Sequence, residues 1–296
     1  MDTESNHQPT TNLYALEEIR ALPLTLDDPL YRHYPAMKLG QRQPIDFFSE
    51  KLCQLAASLI RREPDAQWTI TAPPYYQLPA AANLLAYRVR DLLQQQGMTV
   101  ALIELRLNGQ HIARNQEEFN NYDNYSKNNL QQRIAERQKV QQMLDTDGQA
   151  LHFQGRSVII INDINVTGTQ QSFIQKTLDE LQVNACFWLY IFNVEKSLGT
   201  RHPEVEHQIN NSQINDLDAY AAILADTQTQ HTARCITRLF NESFDNFSNL
   251  VESLDKETCA LIYQLAQHEG RYSSAIFNEK MALLASRHQT IDALSQ

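Results

Sequence analysis

No run of apolar residues in the chain approaches a membrane-spanning length, so no membrane partner is expected. Its four cysteines, Cys53, Cys186, Cys235 and Cys259, lie far apart with no CxxC pair, which suggests neither a zinc site nor a disulfide framework. Reduced, mostly buried thiols are the expectation. His202, His207, His231, His268 and His288 show no metal-ligand spacing. A Gly-rich loop with Lys and a nucleophile elbow are both missing, which puts a kinase or hydrolase of the α/β class last among the readings. Positive charge is scarce too: a net charge of −10 argues against a general nucleic-acid binder while leaving room for a local basic pocket. Met1–Asn12 is polar and has no apolar core of a signal peptide, so a cytoplasmic protein is expected. There is no internal repeat.

What is present is enough apolar residue, 42% of 296, to bury a large core in one domain or one domain with an appendage. The stretch Ser157–Gln171, SVIIINDINVTGTQQ, organises the rest. Four β-branched residues, Val158 to Ile161, favour a strand buried on both faces. Asn162 and Asp163 would stand at its carboxyl edge. From Gly168 onward Phe173, Ile174, Leu178 and Leu181 recur at helical spacing, which makes Thr167-Gly168-Thr169 a turn at a helix N-terminus. Free N–H groups and aligned peptide dipoles suit such a place to a phosphate, and Gly168 allows close approach of backbone to ligand. The plain alternative is an ordinary strand, turn and helix with Asp163 helping at the N-terminus.

Strand, acidic step, three variable residues and Thr-Gly resemble the 5-phosphoribosyl-diphosphate (PRPP) motif of the type I phosphoribosyltransferases. The resemblance implies that Asp163, with Asn162 at the position of the first acid, meets the ribose hydroxyls, and through them Mg²⁺. It implies that Val166, Thr167, Gly168, Thr169, Gln170 and Gln171 wrap the 5′-phosphate. Two positions depart from the pattern: Asn162 replaces the first acid, and Gln170 replaces the closing Thr. Asn162 can bond a hydroxyl but brings no negative charge to an oxocarbenium-like ribose, so binding could survive where turnover is slow.

Earlier in the chain, Met1–Thr11 reads as a disordered start and Leu13–Pro44 as an irregular, proline-punctuated arm. A helical stripe covers Phe47–Arg62, and Trp68–Ala72 is the first strand candidate. Pro73, Pro74 and Pro79 fix an irregular connection to a helix over Ala80–Gln95, and Thr99–Leu105 supplies the next strand. By the resemblance, this connection is the pyrophosphate loop, with the amides of Tyr75, Tyr76 and Gln77 holding the leaving group, although it lacks the usual basic residue. A rigid surface turn with two packed tyrosines is the alternative. The polar segment Arg106–Arg137 would be a lid that excludes water, with Arg106 and Arg114 as pyrophosphate contacts. Asn128–Leu144 has a helical pattern, on which Arg133 and Arg137 read as a solvated face.

Ala185–Val194 is a fully apolar strand completing a strand–helix alternation that implies a parallel sheet, whose strand ends would share one edge. Beyond it the pattern is helical, with Leu239, Phe240, Phe244, Phe247, Leu250 and Leu254 forming one stripe. The expected architecture is α/β: a parallel-sheet type I phosphoribosyltransferase-like core over 66–200, an N-terminal arm and helix over 1–65, and a C-terminal helical cap over 201–296. That cap is a candidate surface for a homodimer. A looser similarity, carried by Tyr31–Gly40, the loop PYYQLPAAA at 74–82, Tyr125–Arg137 and the Thr-Gly motif without its final Thr, links the chain to phosphoribosyltransferase-like proteins of bacterial tellurite-resistance stress operons. The resemblances imply a Mg²⁺-dependent transfer of phosphoribosyl from PRPP to a nitrogenous base. A non-catalytic PRPP or nucleotide sensor is the alternative that Asn162 and Gln170 favour.

Overall fold

The structure, a computed structural model, describes residues 11–107, 153–214 and 216–289. Arg114, Arg133, Arg137 and nearly all of the expected lid lie outside them. A five-stranded, all-parallel sheet in the order β1-β5-β4-β2-β3 forms the centre. Its strands are β1 (Thr11–Ile19), β2 (Trp68–Thr71), β3 (Ala101–Leu102), β4 (Ser157–Asn165) and β5 (Ala185–Val194). The Thr99–Leu105 expectation shrinks to two ladder residues, continued only by an isolated bridge from Arg106 to Tyr75.

The apolar run in β4 splits between two layers, as side-chain alternation requires. Ile159 and Ile161 join the core beneath α1 (Pro29–Leu39), α2 (Arg42–Arg62) and α3 (Ala81–Gln95). Val158 and Ile160 face the other way, onto Ile174 and Leu178 of α4 (Thr169–Glu180). Strand β5 divides likewise, Leu189 and Ile191 on the first side and Trp188 and Tyr190 on the second. Burial on both faces is why these strands read as unbroken apolar runs.

The irregular N-terminal arm is a correction. Thr11–Ile19 is an edge strand pairing with β5 along its length, from Thr11 opposite Cys186 to Ile19 opposite Val194. Pro29–Leu39 is a helix in spite of Pro35 within it. Asp28 accepts from the Leu30 amide at its start, Pro29 needs no amide partner in the first turn, and Gly40 closes the end at φ 95°. A Cβ at Gly40 would lie 1.9 Å from the Gln230 carbonyl, so glycine also admits the C-terminal helices here.

Those helices follow β5: α5 (Lys196–Arg201), α6 (Val205–Asn210), α7 (Leu217–Ala225), α8 (Ala233–Asn241), α9 (Phe244–Ser253), α10 (Lys256–Glu269) and α11 (Asn278–Gln289). Tyr220, Phe240, Phe247, Tyr272 and Phe277 build a second core, into which Leu39 of α1 and Leu78 of the connection after β2 also insert. Hydrogen bonds follow the same route: Gln230 N to Gly40 O at 3.0 Å, Ala233 N to Pro79 O at 3.0 Å, and Thr232 Oγ1 to Lys38 O at 2.8 Å. The C-terminal helices are thereby pinned to α1 and to that connection. No helix among the described residues is long and apolar enough to cross a membrane.

Candidate functional site

In a parallel sheet the carboxyl ends of all strands lie on one edge, and ligands favour the crevice where strand order reverses. Here β3 lies outward of β2 while β4 lies on its other side, so the reversal falls between β2 and β4. The connections after these two strands flank it. They are built in opposite ways.

After β4 the chain turns through Val166–Gly168 into α4. Gly168 adopts φ 73°, and its amide donates to Asn165 Oδ1 at 2.9 Å. A Cβ there would find nothing nearer than Asn165 Oδ1 at 4.0 Å, so the left-handed backbone, not crowding, calls for glycine. Asn165 also donates to Asn193 Oδ1 at 2.8 Å, and Asn193 donates to Glu18 at 2.9 Å, which fixes the turn across β4, β5 and β1. No side chain among the described residues caps α4. Its first amides, from Thr169 on, have no helical acceptor by geometry, and they open onto a cavity of about 160 Å³. Thr167 and Thr169 hydroxyls lie 2.9 Å apart at its rim.

The cavity is lined by Asn162, the whole Asn165–Gln171 turn, Tyr190 of β5, and Pro203 and Glu206 next to and within α6. Among the described residues that line it, Glu206 alone carries a charged side chain. Asn162 donates to Gln170 Oε1 at 2.9 Å and accepts from the Asp163 amide at 2.9 Å. The two positions where the motif departs from its pattern are therefore bonded to each other. Gly199 of α5 backs the turn: a Cβ there would sit 1.9 Å from the Val166 carbonyl.

Asp163, the next residue on the strand, is engaged behind this cavity. Its Oδ2 accepts from Lys38 Nζ of α1, and its Oδ1 accepts from the Ile164 amide at 2.9 Å. Lys38 also reaches Glu206 Oε1 at 3.3 Å, so one ammonium straddles two carboxylates. The side chains of Lys38 and Asp163 are 13% and 11% exposed, that of Glu206 32%. Burial alone pushes the Asp163 carboxyl up, but the Lys38 ammonium and the backbone amides outweigh it and hold the group below the usual carboxylate range. Burial likewise pulls Lys38 down, and Asp163 and Glu206 together leave it above the ordinary lysine value. Tyr34, one turn before Lys38, lies with its ring centroid 5.7 Å from Nζ, and burial, then the Asp163 charge, pushes its hydroxyl well up.

After β2 the backbone is already engaged. Tyr75 N donates to Leu105 O at 3.1 Å and Tyr75 O accepts from Leu107 N at 2.7 Å. Asn83 of α3 binds Ala80 N at 2.9 Å and Pro73 O at 3.1 Å. Leu78 N donates to Glu269 Oε2 at 2.8 Å, and Glu269 is itself paired with Arg271 at 2.6 Å in the C-terminal core. Arg106 stacks its guanidinium 4.1 Å from the Tyr75 ring centroid, holds Glu104 at 2.9 Å and reaches Gln77 O at 3.3 Å. Tyr75, Tyr76, Gln77 and Arg106 thus lie together at the edge, but the cavity over α4 is lined by other residues.

Asn162, Val166, Thr167, Gly168, Thr169, Gln170 and Gln171 line one cavity, but Asp163, expected to face it as the acid on the ribose, is turned to Lys38 of α1 instead, a correction that the lysine's charge explains. Sequence reasoning missed Lys38, Asn165, Tyr190 and Glu206. Asn165 had a local signal, an Asx residue three before a turn glycine; Lys38 and Glu206 had none, since tertiary packing alone brings them to the strand end.

Among the described residues, no group of three His, Cys, Asp or Glu could hold a metal ion. Glu206 is the one carboxylate among the described residues that line the cavity. A family model described as PRTase ComF-like matches residues 10–284. No curated protein and no solved structure matches the chain.

Proposed function

Since the chain belongs to the ComF-like phosphoribosyltransferase family, we propose that it binds Mg²⁺-PRPP at the turn after β4 and transfers the 5-phosphoribosyl group to a nitrogenous base, releasing pyrophosphate. One observation carries this reading: the uncapped start of α4, entered through left-handed Gly168, opens on a cavity at the carboxyl edge of a parallel sheet. Amides of Thr169, Gln170 and Gln171 hold the 5′-phosphate, with the Thr167 and Thr169 hydroxyls as further donors. Lys38 is shared between Asp163 and Glu206, so the amides and hydroxyls, not the lysine, hold the phosphate. Mg²⁺, arriving with PRPP, supplies charge neutralisation of the diphosphate. Asn162 and Asp163 keep the strand end in register, Asn162 through Gln170 and Asp163 through Lys38. The Tyr75–Gln77 corner meets pyrophosphate through the amide of Gln77, and Arg106 joins it only by leaving Glu104. The base enters from the side of the C-terminal helices.

A second reading, a non-catalytic sensor of PRPP or a nucleotide acting in regulation or stress response, is favoured by the Lys38–Asp163 pair. A carboxylate already neutralised by a lysine stabilises a cationic ribose poorly. Calorimetric titration with Mg²⁺-PRPP beside a pyrophosphate-release assay over a panel of bases separates the two. Binding with release supports the transferase, binding without release the sensor, and absence of binding contradicts both.

A further inference from the structure

Asn162 leaves the cavity without the charge that an acid at its position would bring, and Asp163 is occupied by Lys38 and the Ile164 amide. Among the described residues lining the cavity, one carboxylate remains, and it comes from a different element. Glu206 sits on α6, a helix of six residues reached from β5 through α5 and Pro203. It lines the same cavity as Asn162, Tyr190 and the first residues of α4. Lys38 holds one of its oxygens at 3.3 Å, which orients the carboxylate, while a third of the side chain stays exposed. A carboxylate accepts about four hydrogen bonds, so a single lysine contact leaves most of that capacity open.

The described lining of the cavity therefore joins two chemically different groups. The start of α4 suits an anion. Glu206 repels a second anion and accepts hydroxyl donors. A phosphate joined to a polyol satisfies both at once, whereas phosphate alone uses one.

We propose that Glu206 is the residue that selects the sugar: its carboxylate accepts the vicinal hydroxyls of a phosphorylated pentose, in the role that Asn162 cannot fill with charge. This rests on the proposed sugar-phosphate reading of the site and adds to it a specificity-determining residue outside the strand–turn–helix motif. Lys38 is the positioning residue that holds Glu206 against the cavity.

The test is calorimetric titration of the full chain and its Glu206→Gln variant with Mg²⁺-PRPP, ribose 5-phosphate, 2-deoxyribose 5-phosphate and inorganic phosphate. Wild-type protein is expected to prefer ribose 5-phosphate over the 2-deoxy sugar by about tenfold, the order of one charge-assisted hydrogen bond. In the variant that preference collapses and Mg²⁺-PRPP weakens by about tenfold or more, while inorganic phosphate binds as well or better. A purely structural effect would weaken all ligands alike, and that result overturns the assignment. Unchanged sugar preference in the variant overturns the role of Glu206 and leaves the phosphate site standing. Wild-type protein that binds none of the four overturns both.

Discussion

The turns after β2 and β4 leave the same edge of the same sheet, yet one is closed and the other open. After β2, three prolines, the paired Tyr75 backbone, Asn83 and the Glu269 carboxylate together fix a corner on which the C-terminal helices rest. After β4, a glycine and one asparagine shape the turn, and the helix that follows has no side-chain cap among the described residues. The difference teaches where to look for a ligand. Backbone amides bonded within the protein make structure, and amides left at an uncapped helix start are what an anion can use.

The comparison breaks most visibly at the charges behind the open turn. Lys38→Met isolates two carboxylates in a largely buried place and should lower stability by about 3 to 5 kcal/mol in urea unfolding. Adding Asp163→Asn to it should restore much of that loss, because removing both partners is far milder than removing one. A single-variant loss below about 1 kcal/mol would show that the pair does not brace the site.

At the closed corner, Glu269→Gln weakens the acceptor for Leu78 N and leaves Arg271 without its carboxylate. Denaturation should report a loss of about 1 to 3 kcal/mol, with Mg²⁺-PRPP affinity changed little. A large fall in affinity with unchanged stability would show that the Leu78 amide itself serves the ligand and erase the contrast.

The pH profile sharpens it further. The folded Asp163 carboxyl lies below its unfolded value, so its contribution is complete above the unfolded pKa of about 3.9 and is lost as pH falls through the folded value. Lys38 is raised, so its share is complete below about 10.4 and is lost as pH rises through its folded value. Stability measured against pH should hold between these limits, and Asp163→Asn should flatten the acid limb. A wild-type acid limb identical to that of the variant would deny the pair its role.

Smaller effects test the open turn itself. Asn165→Ala removes the acceptor for Gly168 N and should lower stability by about 1 kcal/mol while weakening phosphate binding. Gly168→Ala should lower it by about 1 kcal/mol through backbone strain alone, since no neighbour obstructs the methyl group. Thermal unfolding measures both, and a neutral Gly168→Ala would mean that the turn is not left-handed in solution.

Much of this was legible in the chain. Val158–Ile161 and Ala185–Val194 announce two-sided strands, and Gly168 before Phe173, Ile174 and Leu178 announces a turn into a helix. Leu13–Pro44 misled because its prolines look like breakers, whereas Asp28-Pro29 and Gly40 are the start and stop signals of a short helix. β1 hid because, as an edge strand, it mixes Leu13 and Ala15 with Glu17 and Glu18, and its pairing with β5 is entirely long-range. Within the candidate site, local sequence showed the cradle, but the lysine that takes Asp163 lies 125 residues away. Glu206 is 168 residues from the same lysine, and no local pattern encodes such a meeting.

The most direct measurement is amide NMR of ¹⁵N-labelled protein titrated with Mg²⁺-PRPP. The account predicts the largest shifts at the amides of Thr169, Gln170 and Gln171, with the hydrogen-bonded amides of Tyr75 and Leu78 nearly unmoved. Shifts concentrated at Tyr75 and Leu78, with the start of α4 silent, would contradict it.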